Sequence, residues 1–171
     1  MSGAKFLSEY AGQSLDELIV LEGEFRTESL VAAVEQALVQ KADRLGVAAL
    51  TKPERAVCVV EALEREVNNG GFEQFFFNAV VWPGDLALEI VGALNDVGCS
   101  TAAALTQSAI EIVGVQEASS VSEWEAAAQS LSDEACAALQ SLDEKYFSDV
   151  GDLAATLFEF VKQRRAEIVL I

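Results

Sequence analysis

Apolar residues return at steps of three and four along most of this chain, and no convincing run of period-two alternation interrupts them. Leu30, Val31, Val34, Ala37, Leu38 and Leu45 form one stripe on a helix predicted from about Glu28 to Leu45, with Gly46 suited to stop it. Upstream, Ser14 and Glu17 make a capping box that opens a first helix running to about Phe25. Thr51 and Glu54 make a second box, and Pro53 is tolerated in the first turn that follows. That helix carries Val57, Val60, Leu63 and Val67 and is expected to end at Asn68-Asn69-Gly70-Gly71.

A short aromatic helix follows from Phe72 to about Val80, stopping before Trp82-Pro83-Gly84. Further helices are predicted from about Asp85 to Val97 and from a Ser100 cap to near Gly114. After a loop from Val115 to Val121, the box Ser122–Glu125 starts a helix to about Ser130. Ser132 caps Asp133 to Phe147, and the last helix runs from about Val150 to the end, with Leu153, Leu157, Phe160, Val161 and Ile168 on one face.

Helices joined by short turns, without strands, linkers or repeats, predict an all-α fold: a compact multi-helix bundle or array in a single domain over residues 1–171. Residues 1–13 are expected to be loosely ordered. Apolar residues make up 51% of the chain, which is rich for a small monomer and hints at an extra buried surface such as a dimer interface.

Charge narrows the function. The chain carries 28 acidic and 11 basic residues, a net charge of -17. That repels nucleic acid and anionic lipid and attracts cationic surfaces, so direct nucleic-acid and membrane binding are not expected. Met1 to Gly12 lack a basic start followed by an apolar run, so no signal peptide is expected, and no apolar stretch approaches membrane-spanning length. Cys58, Cys99 and Cys136 lack framework spacing and read as buried free thiols in a reducing, cytoplasmic setting.

The chain has no histidine, which removes Ser-His-Asp and Cys-His catalysis, the usual zinc sites and Glu-x-x-His iron sites. Phosphate-binding loops, dinucleotide fingerprints and calcium-binding loops are also missing. No catalytic residue, cofactor or metal is assigned, and an enzyme is not expected. The closest approach to acid–base chemistry is Glu61, Glu64 and Glu66, and the plainer reading of these is a solvated helix face beside Arg65.

The densest local pattern is Glu66-Val67-Asn68-Asn69-Gly70-Gly71-Phe72-Glu73-Gln74-Phe75-Phe76-Phe77-Asn78. Asn and Gly tolerate the conformations that end a helix, and Gly71 permits a tight turn. Phe72, Phe75 and Phe76 fall at core-facing spacing, while Asn68, Asn69, Gln74 and Asn78 are placed to bond backbone groups freed at the junction. This run resembles the hallmark of a family of small bacterial DNA-mimic proteins. Pro83 to Leu94 and the segment Leu142-Asp143-Glu144-Lys145-Tyr146-Phe147 are similar to later parts of the family, so the resemblance covers residues 51–163. Phe75 stands where the family often has tyrosine. The resemblance implies a helical homodimer whose acidic surface imitates duplex phosphates and occupies the DNA-binding face of a basic protein, such as a helix-turn-helix repressor. It implies a structural role for Asn68, Asn69, Gly70, Gly71, Phe72, Gln74 and Asn78.

The distribution of charge suits that role. Between Arg65 and Lys145 there is no Lys or Arg, yet the stretch is studded with carboxylates. Glu111, Glu117, Glu123, Glu125, Asp133 and Glu134 cluster around a loop and two helix starts and are the expected partner-binding set. The alternatives are that the charge merely keeps the protein dispersed, or that the chain is a generic helical interaction module gripping its partner by apolar surface. The apolar ending Glu167-Ile168-Val169-Leu170-Ile171 is expected to pack on its own core or to form a dimer seam.

Overall fold

The computed structural model describes residues 4–171, and among these eight α-helices follow one another without a strand. They are α1 (Leu15–Val20), α2 (Thr27–Leu45), α3 (Lys52–Asn78), α4 (Ile90–Val97), α5 (Ser100–Val113), α6 (Val121–Ala128), α7 (Asp133–Asp149) and α8 (Leu153–Gln163). The others assemble around α3, which packs against α2, α4, α6, α7 and α8, while α5 packs against α4 and α7.

Local signals explain several boundaries. Both capping boxes, Ser14–Glu17 and Thr51–Glu54, close with their reciprocal hydrogen bonds, and the Ser132 hydroxyl accepts the Ala135 N–H at the start of α7. The apolar stripe of α2 is buried from Leu30 to Leu38, with Leu30, Val31, Val34, Ala37 and Leu38 all fully covered, whereas Leu45 at the helix end is 61% exposed. Phe72, Phe75 and Phe76 are likewise fully buried. Phe75 and Phe76 stack with Trp124 at centroid separations of 5.9 and 5.1 Å, and Trp82 closes on Phe75 at 5.4 Å. Each such ring contributes roughly 1.5–3 kcal/mol of burial energy.

Other boundaries differ from expectation for identifiable reasons. α1 stops at Val20 rather than Phe25, because Gly23 adopts a positive φ and the Glu24 and Phe25 N–H groups both turn back to the Leu21 carbonyl. The break at Gly70-Gly71 is a kink inside α3, so the aromatic helix is the second half of α3 and gives way to a 3-10 turn at Ala79–Val81. The helix expected from Asp85 begins as a 3-10 turn, Leu86–Glu89. Cys99, not Ser100, occupies the cap position of α5. α6 starts one residue before Ser122, since burial of Val121 and Trp124 sets its register; the Ser119 and Ser120 hydroxyls then donate to Glu123, and the Val121 N–H donates to Asp85 at 3.0 Å.

The last residues fold onto their own chain. Ile168 is buried, the Val169 N–H donates to Glu54 Oε1 at 2.7 Å, and Lys41 Nζ donates to the Val169 carbonyl at 3.1 Å. Of the three free thiols only Cys58 is buried; Cys99, at the cap position of α5, and Cys136, in the first turn of α7, are half-buried. The expectation for residues 1–13 falls partly on 1–3, outside the described residues. From Lys5 onward the segment is bonded to the rest, with the Arg26 N–H donating to the Lys5 carbonyl at 2.7 Å and the Tyr10 N–H to Gln36 at 2.9 Å.

Candidate functional site

The kink in α3 organises the middle of the molecule. Gly71 sits at φ 77 and ψ -173, a region open essentially to glycine. The turn exposes the Phe72 N–H, which donates to Asp143 Oδ1 on α7 at 2.8 Å. Burial pushes the Asp143 carboxyl above its ordinary range; the Phe72 N–H opposes this and nearby Glu73 adds to it. Gln74 and Asn78 serve the junction differently from expectation. Both amides donate to Glu66 Oε2, each at 2.8 Å, so they tie one half of α3 to the other through a carboxylate rather than through backbone. Asn68 and Asn69 are exposed. The junction thus depends on Asp143 and Glu66, neither of which a local reading of turn residues singles out.

The first half of α3 carries buried charge. Glu61 and Glu66 are each 8% exposed, which overturns the reading of a solvated face: packing of α2 and α7 against α3 covers it. Glu35 on α2 is buried beside them. Arg65 answers this group, lying 3.3 Å from Glu35 and 3.8 Å from Glu66. Burial, reinforced by Glu35, pushes the Glu61 carboxyl up to about 8 despite Arg65. Burial also raises Glu35, again against the pull of Arg65. Glu64 accepts the Tyr146 O–H at 2.7 Å, and burial followed by that anion drives the Tyr146 phenol upward.

The predicted partner-binding residues lie on the passage from α5 through α6 to α7. Glu111 is in the last turn of α5, Glu117 on the following loop, Glu123 and Glu125 on α6, and Asp133 and Glu134 in the first turn of α7. All are exposed except Glu125, which is half-buried. Among the described residues their side-chain bonds are all to uncharged neighbours on the same passage: Gln107 to Glu111, Ser119 and Ser120 to Glu123, and Gln129 to Glu125. Among the described residues none of the six has a Lys or Arg within ion-pair distance. Most cations pair elsewhere: Lys52 with Asp96, Arg55 with Glu89, Lys162 with Glu22 and Glu159, Arg164 with Glu167, and Arg165 with Asp16, whereas Arg44 and Lys145 form no ion pair among the described residues.

The structure adds one carboxylate to this surface. Glu73, exposed on the second half of α3, lies against the Cys136 thiol, which burial first and then Glu73 and Asp133 push upward. Glu73 therefore belongs with the start of α7, a proximity that its position in the sequence does not reveal.

A family profile described as DMP19-like protein matches residues 48–164, well over half of the chain. The chain belongs to the DMP19-like family. This is the DNA-mimic family that the motif resembles. No curated protein and no solved structure matches the chain. The matched span holds the kinked α3 with its motif, Asp143 that braces the kink, and the whole acidic passage, so the DMP19-like region and the candidate surface coincide.

Proposed function

We propose that this DMP19-like protein is a DNA mimic: its acidic surface binds the DNA-binding face of a basic protein, of the helix-turn-helix kind, and so blocks access to DNA. The observation that carries the reading is the absence of any Lys or Arg partner for Glu111, Glu117, Glu123, Glu125, Asp133 and Glu134 among the described residues, while most cations pair with other carboxylates. Unneutralised carboxylates repel one another in the free protein and gain most from meeting a cationic surface, as phosphates do. Glu73 extends the set across to α3. Duplex DNA presents one charge per ~1.7 Å of axis, so a single protomer's carboxylates are sparse by comparison. A homodimer, which would bring two such passages together, fits the proposal; Phe77, 49% exposed, and Val81, 71% exposed, give it apolar surface to use.

The test is a competition between the protein and labelled operator DNA for purified helix-turn-helix proteins, at low and high salt. Inhibition is expected to weaken steeply with salt and to vanish when the six carboxylates become Gln or Asn, with thermal stability unchanged or raised. Inhibition insensitive to salt would discard mimicry. It would favour the second reading, an interaction module using exposed apolar residues such as Phe77 and Phe147.

A further inference from the structure

Between α2, the first half of α3 and the turn from Val81 to Leu86 lies a cavity of about 230 Å³. Val59, Trp82 and Leu86 make one part of its wall apolar, and Glu35 and Glu66 make another part anionic. Both carboxylates are more than nine-tenths buried, with exposures of 7% and 8%. Arg65 is the one cation lining the cavity, set against two carboxylates.

The hydrogen bonding is incomplete. Arg65 donates to Glu35 Oε1, and Gln74 and Asn78 donate to Glu66 Oε2. Among the described residues Glu35 Oε2 and Glu66 Oε1 receive no hydrogen bond, although Glu66 Oε1 lies 3.8 Å from Arg65 Nε, at ion-pair distance. Neither is sealed inside the protein; the sealed polar atoms without partners are Thr106 Oγ1 and Trp124 Nε1. Two buried acidic residues line one cavity, each with one oxygen that accepts no hydrogen bond, and their two carboxylates face the one guanidinium of Arg65; such a wall suits a cation bearing N–H donors.

We propose that this cavity binds a primary ammonium group on a short aliphatic stem, the ammonium donating to Glu35 Oε2 and Glu66 Oε1 and the stem lying along Val59, Trp82 and Leu86. An ammonium brings three donors and one charge, and the indole of Trp82 favours a cation beside it. The volume lies below the roughly 300 Å³ of the smallest drug-sized sites, which restricts the ligand to a small one. Arg65 on the same wall opposes a hard dication, and among the described residues no group of three or more acidic or thiol side chains is arranged to hold a metal. The raised Glu35 carboxyl fits the same site, since an arriving cation draws off whatever proton it retains. This inference is independent of the acidic passage on α5, α6 and α7.

The chemistry has two sources, a free amine or a lysine side chain of a partner, and the experiment separates them. The full chain is titrated by calorimetry with n-butylammonium, with Nα-acetyl-lysine methylamide, and with n-butanol as the uncharged control. Butylammonium is expected to bind saturably and the alcohol not to bind. E35Q, which keeps the side-chain shape, weakens binding by roughly tenfold or more; A62F, which fills the cavity, abolishes it. Circular dichroism confirms that each variant is folded. Binding of the capped lysine assigns the site to a protein side chain; its exclusion assigns the site to a free amine. No saturable binding of either amine up to about 10 mM, equal binding of the alcohol, or unchanged affinity in folded E35Q overturns the proposal.

Discussion

Replacing Gly71 with alanine sets a methyl group 2.7 Å from the carboxyl carbon of Asp143 and demands φ 77 of a residue with a side chain. Two costs follow. The backbone conformation itself costs about 1–3 kcal/mol for a residue other than glycine. Asp143 must also withdraw, leaving the Phe72 N–H without its partner, and loss of a hydrogen bond to a charged group costs roughly 1.5–3 kcal/mol. The sum, about 2.5–6 kcal/mol, is a large part of the ~5–15 kcal/mol that holds a domain of this kind together. Urea unfolding of the wild type, G71A, D143A and the double variant measures both parts. If the reasoning holds, alanine at position 71 costs clearly less in the D143A background, by about the hydrogen-bond component, because the obstructing carboxylate is gone. A G71A protein within about 0.5 kcal/mol of wild type, or strictly additive costs, refutes it. G70A is the control: its added methyl lies 2.9 Å from Gln74 Cδ, the end of a flexible side chain, at φ -163 that any residue adopts.

Three further outcomes are expected. Glu61 keeps its proton up to about 8 when folded, against an ordinary 4.5; the native state then binds more protons than the unfolded chain across that window, and stability falls as pH rises through it. E61Q flattens this slope, whose full height is at most about 5 kcal/mol, and urea midpoints from pH 5 to 9 would show an unchanged slope if the assignment were wrong. Glu54 is fully buried and holds Lys41, so E54Q strands a buried cation and is expected to cost about 3–5 kcal/mol in thermal melts; a loss under about 1 kcal/mol would mean the pair is not sealed from water. Y146F removes the O–H donated to Glu64 and is expected to cost roughly 1–3 kcal/mol in the same melts, with no loss counting against that bond.

Much of the fold was legible because helix periodicity is local. The α2 stripe as far as Leu38, the boxes at Ser14 and Thr51 and the Ser132 cap are set by residues within a turn or two of each other, and each stands where the sequence puts it. The sequence misled where distant contacts decide. Ser122–Glu125 has the spacing of a box, yet Ser120–Glu123 has it too; burial of Val121 and Trp124 against the aromatic cluster puts Ser120 at the cap position, and neither pair closes the reciprocal bonds of a box. Glu61 and Glu66 look like surface carboxylates until α2 and α7 cover them. Along the acidic passage, charge and exposure follow from hydrophilic positions on short helices, whereas the proximity of Glu73 to Cys136 arises only when α7 packs across the kink.

The bonding of Glu54 has a bearing on how the chain acquires its structure during synthesis. Its carboxylate accepts from Lys41 on α2, from the Thr51 N–H at the start of its own helix, and from the Val169 N–H near the other end of the chain. A nascent chain that has emerged only as far as α3 can offer the first two partners but not the third, nor the apolar cover of Ile168. Enclosing that anion early leaves it under-solvated, so the α2–α3 pair stays open to water at this point until the segment after α8 has been made. Closure of the amino-terminal half is thereby tied to the arrival of Ile168 and Val169.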